Sequence, residues 1–387
     1  MKRELFDEDH EAYRASVRSF VEGQVVPHYA EWSRDGIVPR ALFAQVAELG
    51  ALGFGVPEEY GGSGVDDFRY NLILAEEASR AHVAPALVGP GLVVDIVMPY
   101  LLSMGSEEQK QRWLPGIASG ETITAIAMTE PGTGSDLAGI QTKAVRDTGA
   151  SGTGDWIVNG AKTFITNGIN ADLVVVAVRT SEDRHRGLSL LVVERGMPGF
   201  ERGRKLEKMG MHAQDTAELS FTDVRVPAAN LLGTEGDGFL GLTRNLAQER
   251  VSAAAGAVAG AEAALEVIVA YVRERSAFGS PIGSLQNTRF AVAELATEID
   301  IARVFVDRCI LALNAGELTP VDAAKAKWWT TELLGRVVDT GVQLHGGYGY
   351  MAEYPIAQMW ADARVQRIYA GTTEIMKDLI GRSMRLG

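Results

Sequence analysis

The sequence predicts an α+β protein in which a β unit is inserted between two helical units. Apolar residues recur at helical spacing in the first and last thirds of the chain, and the period changes to two near Ile123. With 387 residues, the chain exceeds the length that one hydrophobic core supports. We therefore expect three packed units, an all-α unit at 1–122, a β unit at 123–235 and an α-helical unit at 236–387.

The first unit has the pattern of a series of amphipathic helices. Apolar residues lie at i, i+3 and i+4 in EAYRASVRSFVEGQVV, ALFAQVAELGALG and FRYNLILAEEASRA. The Gly-rich stretches EEYGGSG and VGPG are expected to be turns between helices. The N-terminal MKRELFDEDHEAY has neither the apolar core of a secretory signal nor the acid-poor composition of a transit peptide, so it is interpreted as the first helix, starting near Glu4.

The middle and last units follow different periods. Strand candidates in the middle unit are TITAIAMTE, DWIVNGAKTFIT, ADLVVVAVR, LSLLVVER and AELSFTDVRVP. After NLLGTEGDGF, helical spacing returns in AAAGAVAGAEAALEVIVAYVRER and LQNTRFAVAELATEIDIARVFVDRCILAL. A third helix is predicted to begin with Thr319 as its N-cap and Pro320 at its first position, and to end at Gly346 and Gly347.

Composition excludes several classes of protein. A net charge of −13, without a basic stripe interleaved with aromatics, argues against nucleic-acid binding. No segment reaches the roughly 18 uninterrupted apolar residues of a membrane span. The single cysteine, Cys309, excludes an intramolecular disulfide and most metal sites, and its apolar helical setting predicts a core residue. These features fit a cytoplasmic protein with no metal.

The stretch AMTEPGTGSDLAGIQTKA joins the first two units. A dinucleotide-binding glycine loop would have to follow a strand and open a helix, whereas β structure continues after this one. It offers hydroxyl and backbone N–H donors suited to a flat heteroaromatic ring and its phosphates. An ordinary Gly-rich β turn is the alternative.

Seven segments resemble successive signatures of the acyl-CoA dehydrogenase family: AMTEPGTGSD, NGAKTFITNG, KMGMHAQDTAELSFTDVRVP, NLLGTEGDGF, SAFGSPIGSLQ, QLHGGYGY and IYAGTTEI. LAQER and the stretch from QLHGGYGY to KDLI look most like the long-chain branch. The resemblance implies an N-terminal helical domain, a middle antiparallel β domain and a C-terminal four-helix bundle. It also implies bound FAD, oxidation of an acyl-CoA to its trans-2-enoyl form, electron transfer to an electron-transfer flavoprotein, and a homotetramer.

The resemblance assigns the cofactor to two groups of residues. The flavin and its ribityl chain would lie against Met128, Thr129, Gly134, Ser135, Phe164 and Thr166, with Thr166 as the partner of the reactive N5. Phe164 stands where several relatives have Trp, and both provide an apolar wall. The adenosine end would be held by the next subunit through Arg275, Phe278, Gln286, Gln343, Gly346 and Gly347, and the last loop would add Thr372 and Glu374.

The loop IYAGTTEI lacks the catalytic carboxylate that several branches place directly after the Tyr, because that position is Ala370. The long-chain and isovaleryl branches carry the base on a C-terminal helix, and the matching stretch RNLAQERVSAAAG contains Glu249. The resemblance thus assigns the base to Glu249 and a hydrogen bond to the thioester carbonyl to the Ala370 N–H. It assigns substrate contacts to the residues Ser135, Arg250, Tyr369 and Gly371.

Several alternatives stay open from the sequence. Met, Leu, Ile and Val would line an acyl tunnel with its far end at LVGPGLVVDIVMPYLLSMG, where Pro90 and Gly91 would leave width for a longer chain unless GPG is only a turn. Medium or long, straight or branched chains are compatible with the resemblance. An oxygen-using flavin monooxygenase or oxidase on the same fold, a silent FAD-binding subunit, and a dehydrogenase of carrier-protein thioesters are the competing functions.

Overall fold

The computed structural model of the protein describes residues 3–148, 154–184 and 186–385. Its units follow in the predicted order, helical, β and helical. The helices before the sheet are α1 Glu8–Phe20, α2 Val26–Asp35, α3 Ala41–Glu48, α4 Phe68–Arg80, α5 Ala84–Gly91, α6 Met98–Met104 and α7 Glu107–Ala118. They bury a shared core of Val, Leu, Ile and aromatic side chains against one face of the sheet.

The first helix begins later than the sequence pattern predicts. The Asp7 carboxylate accepts the backbone N–H groups of Asp9 and His10, and this N-cap starts α1 at Glu8 rather than near Glu4. Met1 and Lys2, which precede the predicted start near Glu4, lie outside the described residues. A π-helical turn at Val21–Val25 joins α1 to α2.

The prediction of a turn at VGPG is wrong, because this segment lies inside a helix. Helix α5 runs through Pro90 to Gly91, a π-helical turn at Leu92–Val97 follows, and α6 completes the rod. Pro90 is buried together with most of α5. Burial of this apolar stretch outweighs the backbone hydrogen bond that proline cannot donate, and the wider π turn absorbs the irregularity that follows it.

Two helical stretches, Ala84–Met104 and Gly238–Glu274, have the length and apolar composition of a membrane span. Half of the most apolar window of each is buried inside the protein, and core helices of soluble proteins have the same character. These two helices are therefore only weak evidence for a membrane span.

The middle unit is an eight-stranded sheet within the described residues. Its strands are β1 Thr124–Ala127, β2 Lys143–Arg146, β3 Trp156–Thr166, β4 Leu173–Arg179, β5 Leu188–Glu194, β6 Phe200–Lys205, β7 Thr216–Val226 and β8 Leu231–Leu232. The order is β6-β7-β3-β2-β4-β5-β8, with β1 parallel to β4. All five predicted strands are present. The sequence pattern missed β2, β6 and β8, which are short or carry several charges.

The central strands β4 and β5 are buried along nearly their whole length, which explains their continuous apolar runs. Val175 and Val192 point into the core shared with the N-terminal helices. Their neighbours Val174 and Val193 point into a second core on the other face of the sheet. The sheet is therefore fixed between two apolar layers, and it holds the loops at its edge in place.

The C-terminal unit consists of α8 Gly238–Glu274, α9 Gln286–Asn314, α10 Pro320–His345, α11 Pro355–Ala363 and α12 Thr373–Ser383, with a small hairpin of β9 Ser276–Ala277 and β10 Ser280–Pro281 after α8. The Thr319 side chain caps α10, Pro320 opens it and Gly346 ends it, as predicted. Alanines on α8 and α10 allow close packing. Cys309 is buried in this core on α9, as the sequence predicts.

Candidate active site

The carboxyl of Glu249 lies at the contact between the first and last units. Helix α8 places Glu249 in the interior, where it is 4% exposed. Tyr100 on α6 is fully buried, and its hydroxyl donates to Glu249 Oε1 at 2.7 Å. Sequence resemblance selected Glu249, and the fold adds a partner from a helix 149 residues earlier in the chain.

The surroundings of Glu249 make it a stronger base than an exposed carboxylate. Burial raises the pKa of Glu249 to about 7, while the hydrogen bond from Tyr100 and the charge of Arg250 act in the opposite direction. A carboxylate with a pKa near the working pH can accept a proton and still be partly ionised. Glu249 therefore has the protonation behaviour of a general base.

Arg250, the next residue on α8, is also buried, with 6% of its surface exposed. Burial lowers the pKa of its guanidinium, and the carboxylate of Glu249 raises it. Its Nε is buried without a hydrogen-bond partner among the described residues. An unpartnered buried donor of this kind is costly unless a ligand satisfies it, which fits the substrate contact that the resemblance assigns to Arg250.

The loop before α12 has an unusual backbone. Ala370 has a φ of +51° and Gly371 a φ of +92°, so the chain turns sharply after Tyr369. The Lys327 ammonium on α10 donates to the Gly371 carbonyl at 2.6 Å from beneath the loop. The Thr372 side chain accepts the Ile375 N–H and starts α12. The loop is thus fixed at its C-terminal side.

Glu374, the other carboxylate of this segment, has a different environment. It is exposed in the first turn of α12. Hydrogen bonds from its own backbone N–H and from the Thr372 side chain lower the pKa of Glu374. A carboxylate with this character is a weaker base than Glu249, so the structure favours Glu249 for proton abstraction.

The predicted flavin-contact residues lie at the end of β3 and in the segment between β1 and β2. The Thr163 N–H donates to the Thr129 carbonyl at 2.9 Å, which joins the Met128–Thr129 segment to β3. Phe164 is 68% exposed and has a φ of +61°, an uncommon conformation for an aromatic residue. Thr166 is the last residue of β3, and the exposed pair Gly134 and Ser135 lies in the turn that follows Thr129 along the chain.

A buried ion pair beneath this surface was not found from the sequence. The Lys162 ammonium, which is almost fully buried, donates to Glu130 Oε1 and to the Met128 carbonyl, each at 2.9 Å. Glu130 also accepts the N–H groups of Gln141 and Thr142. Both residues lie within quoted motifs, but one strand lysine and one turn glutamate carry no sequence signal of pairing.

The predicted adenosine-binding residues lie on the C-terminal unit. Four of them, Arg275, Gln343, Gly346 and Gly347, line a groove of about 510 Å³. The other two lie outside its lining. Phe278 is 94% exposed in the turn of the β9–β10 hairpin, and Gln286 is the exposed first residue of α9. In the described part of the chain, none of the six is among the residues that hydrogen-bond to Glu249 or shift its pKa.

Sequence reasoning named neither Tyr100, which donates to Glu249, nor Lys327, which donates to the Gly371 carbonyl. A Tyr within the apolar stretch LVVDIVMPYLL, and a Lys within the buried face of an Ala-rich helix, are each a signal for a polar partner. Neither signal names the partner. The contacts arise only when α6, α8, α10 and the loop before α12 pack together.

Comparison with known proteins places this geometry in a family. Models of the N-terminal, middle and C-terminal domains of acyl-CoA dehydrogenase match residues 7–121, 125–224 and 236–385. The long-chain specific acyl-CoA dehydrogenase of Sus scrofa mitochondria is 46% identical over 385 residues, covering 99% of this chain and 88% of that protein.

Solved structures give the same result. An acyl-CoA dehydrogenase from Geobacillus kaustophilus has a TM-score of 0.95 and 51% identity, covering 99% of this chain and 100% of that one. An acyl-CoA dehydrogenase from Bacillus anthracis complexed with FAD has a TM-score of 0.91 and 31% identity, covering 100% of this chain and 68% of that one. The chain belongs to the acyl-CoA dehydrogenase family.

Proposed function

We propose that the protein converts acyl-CoA thioesters to trans-2-enoyl-CoA, with Glu249 as the base that removes the α-proton. The observation that carries this proposal is the buried Glu249 carboxyl, held by Tyr100 beside the buried Arg250. An exposed carboxylate with a pKa of about 4.3 is too weak a base for this step. Burial raises the pKa of Glu249 to about 7. The carboxylate is then a stronger base for the weakly acidic α-hydrogen, and part of it stays ionised at neutral pH.

The cofactor is FAD, and its flavin, when bound, would supply the acceptor for the β-hydride of the substrate. The surface at β3 suits a flat ring, because Phe164 exposes an aromatic face that water would not favour and the Met128–Thr129 segment is fixed beside it. The groove at Arg275 suits the adenosine end, because its glycines leave the wall open and the guanidinium supplies a charged donor for a pyrophosphate. We assign the flavin contacts to the first surface and the adenosine contacts to the second.

Besides the base, proton abstraction needs a hydrogen-bond donor to the thioester carbonyl. We assign it to the backbone N–H of Ala370, which lies in the loop held by Lys327. A single such donor contributes about 3 kcal/mol to stabilising an oxyanion. The residues Tyr369, Gly371, Arg250 and Ser135 complete the proposed substrate contacts, and Thr372 and Glu374 the cofactor contacts of this loop.

We infer a medium-chain or long-chain substrate, straight or branched. The 46% identity to a long-chain specific enzyme supports this range. At Gly91 on α5, no heavy atom apart from the adjacent residues and the helix backbone lies within 4 Å of the position that a Cβ would occupy, so there is open space beside this residue. A screen of acyl-CoA chain lengths by anaerobic flavin bleaching tests the inference.

The groove at Arg275 and the almost fully exposed Phe278 support an assembly in which they reach a neighbouring subunit's FAD. We propose a homotetramer that passes electrons to an electron-transfer flavoprotein in the cytoplasm, with domain boundaries at 122 and 235. In gel filtration, FAD should elute with the oligomer, and protein that dissociates to monomers should have lost its FAD. A monomer that retains one FAD per chain would contradict the assembly.

The base is tested by Glu249→Gln, with Glu266→Gln as the matched control on the exposed side of the same helix. The amide cannot accept the proton, so flavin bleaching by acyl-CoA should fall by about 10²-fold or more while acyl-CoA binding and FAD content persist. The control should bleach at the wild-type rate. Bleaching by Glu249→Gln near the wild-type rate would remove Glu249 from this role.

Three other outcomes distinguish the competing functions. Restored flavin absorbance within seconds of exposing the reduced protein to air would identify an oxidase or monooxygenase. Absence of turnover by the purified wild type would favour a silent subunit. Faster reduction by a carrier-protein thioester than by the CoA thioester of the same acyl group would change the substrate class.

A further inference from the structure

Lys327 is a buried cation whose positive charge has no role in the function proposed above. It lies on α10 with none of its surface exposed. Its ammonium donates to a neutral acceptor, the Gly371 carbonyl, at 2.6 Å. An ammonium is costly to bury, and a structural lysine would gain more from a carboxylate partner. Its position therefore points to a use for positive charge at this loop.

The surroundings of Lys327 contain further positive charge. Arg250, buried beside Glu249, is close enough for its charge to lower the pKa of Lys327, after the larger effect of burial, to about 8. Glu332 and Glu374 act in the opposite direction. Lys327 is thus mostly protonated at neutral pH, and Arg250 is a second buried cation near it.

Helix α10 also holds the loop at two further points. Glu332 accepts the Thr373 hydroxyl at 2.8 Å and the Arg367 guanidinium at 2.9 Å. Together with the bond from Lys327 to Gly371, these contacts fix the chain on both sides of Ala370. The positive φ of Ala370 persists because its neighbours are held in this way.

We propose that Lys327 is a positioning residue for proton abstraction. By holding the Gly371 carbonyl, it keeps the Ala370 N–H directed at the thioester oxygen, and with Arg250 it provides positive charge that favours the negative charge developing there. This inference rests on the proposed function, since it concerns the same thioester and the same base.

The step that Lys327 assists is removal of the α-proton of the thioester. The bond between the α-carbon and its hydrogen breaks, and the proton moves to the Glu249 carboxylate. The electron pair of that bond enters the enolate, which places negative charge on the thioester oxygen. A fixed donor and nearby buried cations stabilise this charge more than they stabilise the neutral thioester.

Lys327→Met tests the proposal, because methionine keeps much of the length and removes the charge and the donor. Lys325→Met is the matched control, since Lys325 lies on the same helix, is part-exposed and pairs with Asp322 at 3.1 Å. The reaction measured is exchange of the α-protons of a 3-thiaacyl-CoA in D2O by the holoenzyme. Sulfur at the β-position leaves no hydride to transfer, so the exchange reports proton transfer alone.

We expect Lys327→Met to slow this exchange by about 10- to 100-fold and the control to leave it within about 2-fold of the wild type. Affinity should fall for the thioester but not for the S-alkyl-CoA thioether, which has no carbonyl. Exchange within about 2-fold of the wild type, or equal loss of affinity for both ligands, would overturn the role. Should Lys327→Met fail to fold, Lys327→Gln keeps a neutral donor and should show a smaller loss of exchange with the same split between ligands.

Failure of this inference and failure of the proposed function give different results. If the wild type itself exchanges no α-protons, the proposed base chemistry is wrong. If the wild type and Lys327→Met exchange equally fast, the base chemistry stands and only the role of Lys327 is lost.

Discussion

Removal of the Tyr100 hydroxyl tests how the fold sets the basicity of Glu249. In Tyr100→Phe, Glu249 Oε1 loses the hydrogen bond of 2.7 Å, while the packing of the ring on α6 is kept. That bond favours the ionised carboxylate against the effect of burial. Its removal should therefore raise the pKa of Glu249 above its value of about 7.

The size of the effect follows from the energy of such a bond. A hydrogen bond to a charged group contributes about 1.5–3 kcal/mol, which corresponds to roughly 1–2 pKa units at about 1.4 kcal/mol each. With a starting pKa of about 7, the ionised fraction of Glu249 at neutral pH would fall from about one half to about one tenth or less. The rate at neutral pH should drop about 5- to 50-fold and recover as the pH rises.

The assay is anaerobic stopped-flow reduction of the flavin as a function of pH. The second-order rate constant reports the free enzyme, so its acid limb gives the pKa of Glu249 before substrate binds. Tyr13→Phe is the matched control. The Tyr13 hydroxyl is buried without a hydrogen-bond partner among the described residues, and its ring packs on Phe54 rather than on Glu249. An acid limb that stays in place or moves to lower pH in Tyr100→Phe would refute the reasoning.

Two further predictions concern stability. Lys162→Met leaves the carboxylate of Glu130 buried without its cationic partner. The free energy of unfolding measured in urea should therefore fall by about 3–5 kcal/mol, and FAD should dissociate more readily. The control Lys143→Met, at an exposed strand position, should change neither quantity. Burial raises the pKa of Asp95 to about 6, so the stability that this group contributes is complete below about pH 4 and is lost as the pH rises through 6. Relative to Asp95→Asn, the wild type should lose about 1 kcal/mol of unfolding free energy between about pH 5 and pH 8, and parallel stability curves would contradict this.

The order of units and the main strands were predictable because periodicity records which faces are buried. The run LVVVAVR of β4 is apolar throughout, since both of its faces are covered. The strands β2 and β6 were missed because few of their residues are buried, so their pattern is set by pairing rather than by burial. The helix through Pro90 was missed because local propensity there is opposed by tertiary packing.

The proposed active-site residues could be named from the sequence only where a motif carries them. Glu249 and Ala370 lie in segments that resemble family signatures, so both were named from the sequence. Tyr100 contacts Glu249 and Lys327 contacts the Gly371 carbonyl, each from a helix far away in the chain, so each contact depends on tertiary packing. A sequence pattern shows that such a residue will be buried, but not which group it will bind.

The loop before α12 offers a second position for the base, and Ala370→Glu shows whether it is still usable. Ala370 already has a φ of +51°, which costs an L-residue about 1–2 kcal/mol, so a glutamate adds a side chain but no new backbone strain. In a Glu249→Gln background, this new carboxylate should restore part of the lost flavin bleaching, because it would approach the substrate from the loop.

With Glu249 intact, the same substitution should lower activity, since two carboxylates near one carbon repel and raise each other's pKa. Anaerobic bleaching of the wild type, both single variants and the double variant separates these effects. A double variant no more active than Glu249→Gln would mean that the loop cannot present a base here. Activity of Ala370→Glu above the wild type would mean that the two carboxylates do not repel each other near one carbon, whereas full activity of Glu249→Gln would show that the assignment of Glu249 is wrong.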